Sequence, residues 1–243
     1  HEVKPHPSSQ GFPLYRDTGI LGVSQFVYLP PPTIEMLQGI HDESPATGFL
    51  SRYDHRNVTV RGGQMMAIAV IEGGFYLCSV PETAAGEDPT FVEHGCIYLY
   101  TYSTPYVADD YDRFALEAGT MIEEINGSVF EFFGFTEMSF PTFEPSQHAD
   151  GSVVIDRPLL ASLQPIDITA AIDAQDFAEL EKWESCLVTV RNVTVADFDE
   201  DDASYLEFAQ FPLQTENGQH IMAVTIGTAP AFDPAANVGQ QLS

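Results

Sequence analysis

The sequence predicts a mainly β protein made of two tandem barrels that follow an N-terminal extension strand. Three observations favour this class. Apolar runs of strand length, rich in aromatic and β-branched residues, recur between glycine and proline residues along the chain. Only the stretch 174–183 carries the apolar stripe of an amphipathic helix. With 243 residues, 44% of them apolar, the chain can fill the cores of two domains of ordinary size.

Residues 1–32 are predicted to form an N-terminal extension with one strand. The apolar run from Ile20 to Leu29 has the composition of a strand, and Pro30, Pro31 and Pro32 then form a stiff spacer. Because this run lies outside the domain that follows, the sequence offers it no obvious partner. We therefore expect an orphan strand.

Residues 33–140 are predicted to form the first barrel. A long strand over 57–71 should bend at Gly62 and Gly63, because glycines inside a strand mark bulges and bends. The other four predicted strands cover 74–80, 95–102, 114–125 and 128–138. Five strands with glycine-marked bends and no strong helix are typical of an OB-like Greek-key barrel.

Residues 141–164 are rich in proline, serine and aspartate and are predicted to be a linker. A second OB-like barrel should occupy residues 165–243, with a helix over 174–183 and three strands after it. The pattern V-T-V-R occurs in both predicted barrels, at 58–61 and at 188–191, which is consistent with related domains. The stretch 238–243 resembles the segment that leads into the closing hairpin of such a barrel, and the sequence contains no such hairpin after it. The second barrel is therefore expected to be incomplete.

The charge balance is strongly acidic, with 9 basic and 36 acidic residues and a formal net charge of −27. Such a field repels nucleic-acid phosphates and disfavours simple electrostatic DNA binding. It suits a saline or calcium-bearing exterior, where counterions screen the self-repulsion. We therefore expect a secreted protein, either extracellular or at the cell surface. No run of 18 or more apolar residues occurs, so the sequence predicts no membrane span.

A disulfide between Cys78 and Cys96 is the pairing that the sequence predicts. The two residues lie at the end of one predicted strand and the start of the next, so they could face each other across a hairpin. Such a bond fits an oxidising compartment, and the alternative is two buried thiols in strand cores. Cys186, the third of the three cysteines, is predicted to be a buried free thiol.

One acidic loop is a candidate calcium site, because calcium takes six to eight oxygen ligands and alternating carboxylates supply them. The candidate ligands are Asp197, Asp199, Asp201 and Asp202. The loop is not an EF-hand, since Asp202 replaces the required glycine and Phe208 the required glutamate. The alternative is a solvated acidic turn, and the loop 109–112 allows the same two interpretations.

The sequence contains no G-x-S-x-G motif, P-loop or dinucleotide fingerprint, and we predict no enzymatic activity for the chain itself. A phenylalanine-rich stretch could instead stack on bases or sugars with whichever face strand alternation leaves free. Its members are Phe130, Phe132, Phe133 and Phe135.

Several segments together resemble the tandem OB-like modules of large secreted bacterial extracellular nucleases. In that family V-T-V-x-G is followed by G-F-Y/F-x-Q, G-I-x-V-Y-T and E-F-F-G-x-T-x-L. The counterparts here are 58–62, 74–77, 95–101 and 131–138. The stretch 34–39 resembles the start of that module, and 180–190 resembles the start of the next, so the resemblance covers roughly residues 33–243.

The resemblance implies an accessory role rather than a catalytic one. In the family a metal-dependent endonuclease/exonuclease/phosphatase-like domain follows the modules and carries the residues that cut phosphodiesters. The sequence contains no counterpart of that domain, so the resemblance assigns no catalytic residue. If the chain is part of a longer one, the whole protein is expected to be a metal-dependent nuclease.

Three hypotheses of function follow from the sequence. The first is an extracellular, non-catalytic structural or adhesive protein that associates with itself or with another surface protein. It could be a filament subunit assembled by β-strand addition. The residues expected to fill the neighbouring molecule are Ile20, Val23, Phe26 and Tyr28. The second is a DNA-positioning accessory region of a secreted nuclease. The third is a calcium- or carbohydrate-binding module.

Overall fold

The computed structural model describes residues 13–17, 24–28, 31–39, 50–80, 89–108, 113–132, 134–225 and 232–242. The chain is mainly β, as the sequence predicts, and divides into two compact units. The first consists of His1–Gln164 with Glu184–Cys186, and the second of Pro165–Trp183 with Leu187–Ser243. Within the part of the chain just given, no helix is long and apolar enough to cross a membrane.

The N-terminal strand has a partner, which corrects the expectation of an orphan strand. Strand β1 (Pro13–Asp17) and strand β2 (Ser24–Tyr28) form a two-stranded antiparallel sheet. Phe26 lies opposite Tyr15, and Tyr28 lies opposite Pro13. Backbone pairing along this edge of β2 is satisfied within the chain, a possibility missed because β1 is short and contains two charged residues. Ile20 and Val23 lie outside the described residues.

A closed five-stranded barrel forms the core of the first unit. Its strands are β3 (Arg56–Ile71), β4 (Gly74–Val80), β5 (Cys96–Tyr100), β8 (Met121–Glu131) and β9 (Thr136–Pro145). The order around the barrel is β3-β4-β5-β9-β8, and β8 pairs back onto β3. Only the β5–β9 pairing is parallel. A small hairpin of β6 (Tyr106–Ala108) and β7 (Arg113–Ala115) lies between β5 and β8 in the chain.

The long first barrel strand bends where the sequence predicts. The register of β3 against β8 shifts between Arg61 and Met65, and both intervening glycines have positive φ angles, 78° at Gly62 and 77° at Gly63. Glycine adopts these angles without a Cβ penalty, so the strand can turn there and pair with two neighbours.

Helix α1 (Ile34–Gln38) packs against the core of this barrel. Thr33 caps it by accepting a hydrogen bond from the Met36 amide. Ile34 and Leu37 are buried and belong to the same apolar cluster as Phe75 and Leu99. The barrel interior is therefore filled by side chains, which stabilises the fold but leaves any ligand to bind on the outside.

The last two barrel strands begin and end later than predicted. The predicted strands 114–125 and 128–138 are replaced by β8 and β9, joined by a tight turn in which Phe132 and Phe135 exchange backbone hydrogen bonds of 2.9 and 3.1 Å. Gly134, with φ at 81°, allows this turn. The phenylalanine-rich stretch had the composition of a strand, and that local preference concealed the turn.

Residues 141–164 are not a linker, which corrects the sequence prediction. Residues 141–145 complete β9, and Phe143 packs edge-on against Phe75 at 5.0 Å between ring centroids. Ile155 then forms a β-bridge with Thr120, and helix α2 (Arg157–Ser162) follows with Asp156 as its cap. The stretch was predicted to be a linker because Pro141 and Pro145 lowered its apparent strand preference, although proline is tolerated at the edges of sheets.

The second unit contains an open sheet, and no closed barrel is found among its described residues. Its strands are β10 (Ile166–Asp167), β11 (Val188–Thr189), β12 (Val193–Val195), β13 (Gln210–Gln214), β14 (His220–Val224) and β15 (Gln241–Leu242). The four-stranded sheet has the order β14-β13-β12-β15, and β10 and β11 form a separate parallel pair. The helices are α3 (Thr169–Ala174), α4 (Phe177–Glu181) and α5 (Ala203–Phe208), with a 3₁₀ turn at Ala235–Asn237.

The helix predicted over 174–183 is shorter than expected: it is reduced to α4 (Phe177–Glu181), and a separate helix, α3 (Thr169–Ala174), ends where it was expected to begin. Gln175 ends α3 in the left-handed conformation, with φ at 53°, and Asp176 caps α4 by accepting from the Glu179 amide. Phe177, which belonged to the predicted apolar stripe, is exposed. The sequence analysis placed Asp176 inside the helix, although aspartate is favoured at helix N-caps. The break between α3 and α4 was therefore missed.

Candidate functional site

The disulfide joins Cys96 to Cys186, and the predicted Cys78–Cys96 bond is wrong. Cys78 is a buried free thiol, although it lies directly opposite Cys96 on the neighbouring strand. The error arose because the sequence analysis could pair Cys96 only with a cysteine on a neighbouring predicted strand. Its actual partner, Cys186, lies 90 residues further along the chain. The prediction of a free thiol at Cys186 is wrong for the same reason.

The acidic loop does not bring its carboxylates together as a metal site. Asp199 accepts a hydrogen bond from the Asp201 amide, and Asp202 caps α5 by accepting from the Ser204 amide. In the described residues, the only group of three or more metal-binding side chains comprises the three cysteines. Asp197, Asp199, Asp201 and Asp202 are therefore not collected around a common point, and the second loop, 109–112, lies outside the described residues.

An aromatic strip runs along the outside of the barrel, over β4, β5 and the first half of β9. It consists of Tyr76, Tyr98, Tyr100, Tyr102, Phe135 and Phe140. Strand alternation accounts for the tyrosines of β4 and β5. Because Phe75, Leu77, Ile97 and Leu99 belong to the core, the alternate residues Tyr76, Tyr98 and Tyr100 lie on the outer face. The rings contact one another in two groups, Tyr76–Tyr98–Phe135 and Tyr100–Tyr102–Phe140.

The most exposed part of the strip is a stacked pair of rings. Tyr102 is 70% exposed and Phe140 is 68% exposed, and their rings lie 5.8 Å apart with only 16° between their planes. Both residues have left-handed backbone conformations, with φ at 69° and 50°. Each such conformation costs a non-glycine residue about 1–3 kcal/mol and is concentrated at functional sites. Folding alone gains little from holding two large apolar rings in water at this cost.

The middle of the strip packs closely against the backbone of the barrel. The Tyr98 ring lies across Gly74, where a Cβ atom would come within 2.4 Å of the tyrosine oxygen. Burial raises the pKa of Tyr98 to about 12, with further contributions from Tyr76 and from Glu137, its register partner on β9. Burial also raises the pKa of Tyr76. Both phenols therefore stay neutral at physiological pH and can donate hydrogen bonds.

A cleft of about 370 Å³ lies where the chain continues past the stacked pair. It is lined by Thr101, Ser103, Thr104, Pro105, Pro141, Thr142 and Phe143. These segments flank Tyr102 and Phe140 in the chain, so the cleft adjoins the exposed rings. Its hydroxyl groups can both donate and accept hydrogen bonds, and its prolines provide apolar walls.

The three strands that carry most of the strip contribute negative but no positive side chains. Strands β4, β5 and β9 contain no lysine or arginine, whereas β9 contributes Glu137 and Glu144. These strands can therefore offer flat apolar faces and hydroxyl groups to a ligand, and they supply no positive charge that would attract phosphate or sulfate.

The four phenylalanines that the sequence analysis singled out do not form one common surface. Phe135 belongs to the strip, Phe132 is exposed at the adjoining turn, and Phe130 packs edge-on against His55. Phe133 lies outside the described residues. The tyrosines were missed by the sequence analysis, although their spacing at 98, 100 and 102 was the signal that could have revealed an outward-facing aromatic row.

Comparisons of the chain with protein-family models, with curated proteins and with solved structures found no match.

Proposed function

We propose that this is an extracellular, non-catalytic adhesive protein whose first unit binds a neutral polysaccharide through the aromatic strip. The observation that carries the proposal is the stacked pair of Tyr102 and Phe140, two exposed rings in strained backbone conformations. Aromatic rings offer large, rigid, apolar faces, and a sugar ring with its axial hydrogens presents a complementary apolar face. The hydroxyl-lined cleft beside them supplies hydrogen-bond partners for sugar hydroxyls.

The strand order supports placing the first unit among OB-fold barrels. With its strands renumbered from one to five, the barrel has the order 1-2-3-5-4 with a parallel closure between the third and the fifth. OB-folds bind oligonucleotides or oligosaccharides on the face of their second and third strands and on the adjoining loops. The aromatic strip occupies that face, since β4 and β5 are the second and third strands.

The second unit fits an open relative of the same barrel. Its strands β12, β13 and β14 form an antiparallel meander, and the V-T-V-R pattern at 188–191 matches the one in the first barrel. These two features support tandem OB-like modules, the arrangement found in the secreted bacterial nucleases that the sequence resembles.

The charge of the strip's surroundings favours a neutral polysaccharide over DNA. Proteins that bind single strands combine stacking rings with a basic groove, and the three strands here supply only the rings. Binding to DNA would instead support an accessory role in a secreted nuclease.

Affinity electrophoresis distinguishes these ligands directly. The protein is run through native gels that contain soluble xylan, hydroxyethylcellulose or single-stranded DNA, and its mobility is compared with that in a blank gel. We expect retardation by at least one neutral polysaccharide and none by DNA. The double variant Tyr102→Ala/Phe140→Ala should lose the retardation.

A matched control is Phe177→Ala, which removes a 60% exposed phenylalanine from the second unit. We expect it to bind like the unchanged protein. Retardation by DNA alone, or equal retardation of the double variant, would contradict the proposed function.

A filament subunit is a second candidate, and an exposed sheet edge favours it. Within the described residues β14 pairs only with β13, and its Met222 side chain is 62% exposed. An open edge of this kind can accept a strand from another molecule. Electron microscopy of the full chain and of a chain lacking residues 1–30 tests it. Fibres that persist without those residues would refute assembly through the N-terminal strand.

A further inference from the structure

The three cysteines of the chain meet at one point on the outside of the barrel. The sulfur atoms of Cys78, Cys96 and Cys186 all lie within 4.8 Å of one another. Cys78 and Cys96 are fully buried, and Cys186 is partly buried. The free thiol therefore lies close to a disulfide with which it could exchange.

The register of β4 and β5 suits a bond between Cys78 and Cys96. The two residues are Cα partners in the antiparallel ladder, and the neighbouring Ser79 amide donates to the Gly95 carbonyl at 2.7 Å. Because hydrogen-bonded and non-hydrogen-bonded pairs alternate, Cys78 and Cys96 form a non-hydrogen-bonded pair, in which Cα atoms lie about 4.5 Å apart. That separation is within the range that disulfides span.

The segment that carries Cys186 is held in an unfavourable conformation. Ser185 has a left-handed backbone, with φ at 62°, and its buried hydroxyl has no hydrogen-bond partner among the residues described by the structure. Glu184 accepts a hydrogen bond of 2.6 Å from the Thr136 amide at the start of β9. The disulfide and this hydrogen bond thus hold a strained tripeptide, 184–186, against the barrel.

We propose that Cys78 is a resident nucleophile that can move the disulfide from Cys96–Cys186 to Cys78–Cys96 and so release the segment Glu184–Cys186 from the barrel. The Cys78 thiol loses its proton, and its sulfur attacks the Cys96 sulfur. The Cys78–Cys96 bond forms as the Cys96–Cys186 bond breaks. Cys186 leaves as a thiolate and takes up a proton, so nothing is oxidised or reduced overall.

Burial controls the rate of this exchange. It raises the pKa of the Cys78 thiol well above its usual value, so the thiolate that attacks is scarce while the site is closed. Local opening of the strained segment hydrates the thiol and allows the reaction. Any change that loosens residues 184–186 should therefore promote the disulfide exchange. The proposal does not depend on the polysaccharide ligand.

Disulfide mapping of the full chain tests the exchange. The protein is equilibrated at pH 8 with a catalytic trace of glutathione, quenched in acid, alkylated while denatured, and digested for mass spectrometry without reduction. We expect two isomers, one with the label on Cys78 and a Cys96–Cys186 bond, the other with the label on Cys186 and a Cys78–Cys96 bond. Label on Cys78 alone at every time point would overturn the proposal.

Two serine variants give a second, independent readout. Cys186→Ser, oxidised with excess glutathione disulfide, which is reduced to glutathione as the bond forms, should gain the Cys78–Cys96 bond and keep the circular dichroism spectrum of the unchanged protein. Cys78→Ser should keep Cys96–Cys186 and show no isomer with time. If Cys186→Ser folds but remains a dithiol where the unchanged protein is fully oxidised, the cross-strand bond cannot form and the proposal fails.

Discussion

At the scale of single residues, Tyr102 and Phe140 combine two unfavourable features. Both expose most of a large aromatic ring, and both hold a left-handed backbone that glycine would adopt at lower cost. Together they produce a stacked surface beside a hydroxyl-lined cleft. This combination of strain and exposure supports the proposed binding role, and it makes stability and binding separable by substitution.

Replacing Phe140 tests that separation. Phe140→Gly should have a free energy of unfolding higher than that of Phe140→Ala by about 1 kcal/mol, because glycine relieves the left-handed strain. Both variants should lose polysaccharide binding, since both remove the ring. Urea unfolding measures the stabilities, and titration calorimetry with soluble xylan measures binding. An alanine variant as stable as the glycine variant would show that the backbone is unstrained at this position.

Tyr98 makes the stability of the barrel depend on pH in the alkaline range. Its pKa in the folded chain is about 12, above the usual value of 10, chiefly because of burial. The folded state therefore holds the proton more tightly, so this contribution to stability is complete below pH 10 and is lost as the pH rises through 12.

Comparing the unchanged protein with Tyr98→Phe isolates that contribution. The difference between their melting temperatures should be constant from pH 7 to 9.5 and should shift in favour of Tyr98→Phe between pH 10 and 12. Parallel melting curves over this range would mean that Tyr98 ionises as readily in the folded chain as in the unfolded one.

At the scale of elements, the sequence predicted well where each local signal was unambiguous. The strands β3 and β4 and the bend at Gly62–Gly63 follow from alternation and glycine placement alone. The boundary between β8 and β9 did not follow, since Phe132 and Phe135 have strand-like composition but stand at the ends of a turn. The partner of Cys96 was not predictable either, because bonding across 90 residues depends on tertiary packing.

The disulfide closes a long loop and should contribute strongly to the first unit. In the chain-entropy view a bond across 90 residues restricts the unfolded chain, and disulfides contribute about 2–5 kcal/mol. Reduction should therefore lower the free energy of unfolding by that amount, measured by urea unfolding with and without a phosphine reductant. The free energy of unfolding of Cys78→Ser should fall by as much on reduction as that of the unchanged protein. No loss in either protein would show that the bond leaves folding unaffected.

At the scale of the whole molecule, the dominant feature is the large negative net charge. A formal net charge of −27 on 243 residues repels itself in the folded state, and salt screens that repulsion. The melting temperature should therefore rise between 20 mM and 500 mM sodium chloride and then level off. Calcium chloride at equal ionic strength serves as the control. An extra rise with calcium would support a calcium site, and a melting temperature that does not change with salt would contradict the screening argument.

The aromatic strip is a property of the assembled barrel rather than of any one segment. Tyr76, the tyrosines at 98–102, Phe135 and Phe140 come from separate parts of the chain and meet only because β4, β5 and β9 are neighbours. The sequence could predict a barrel with outward tyrosines. It could not predict that Phe140 would turn outward, because that depends on one left-handed backbone angle.

The central claim is that the aromatic strip binds a neutral polysaccharide, and amide chemical-shift mapping tests it most directly. The isotopically labelled full chain is titrated with xylohexaose and followed by two-dimensional NMR. We expect saturable shifts confined to residues 75–77, 98–104 and 135–143, and their loss in Tyr102→Ala/Phe140→Ala. Saturable shifts centred elsewhere would contradict the account, as would no shifts with any neutral oligosaccharide tested.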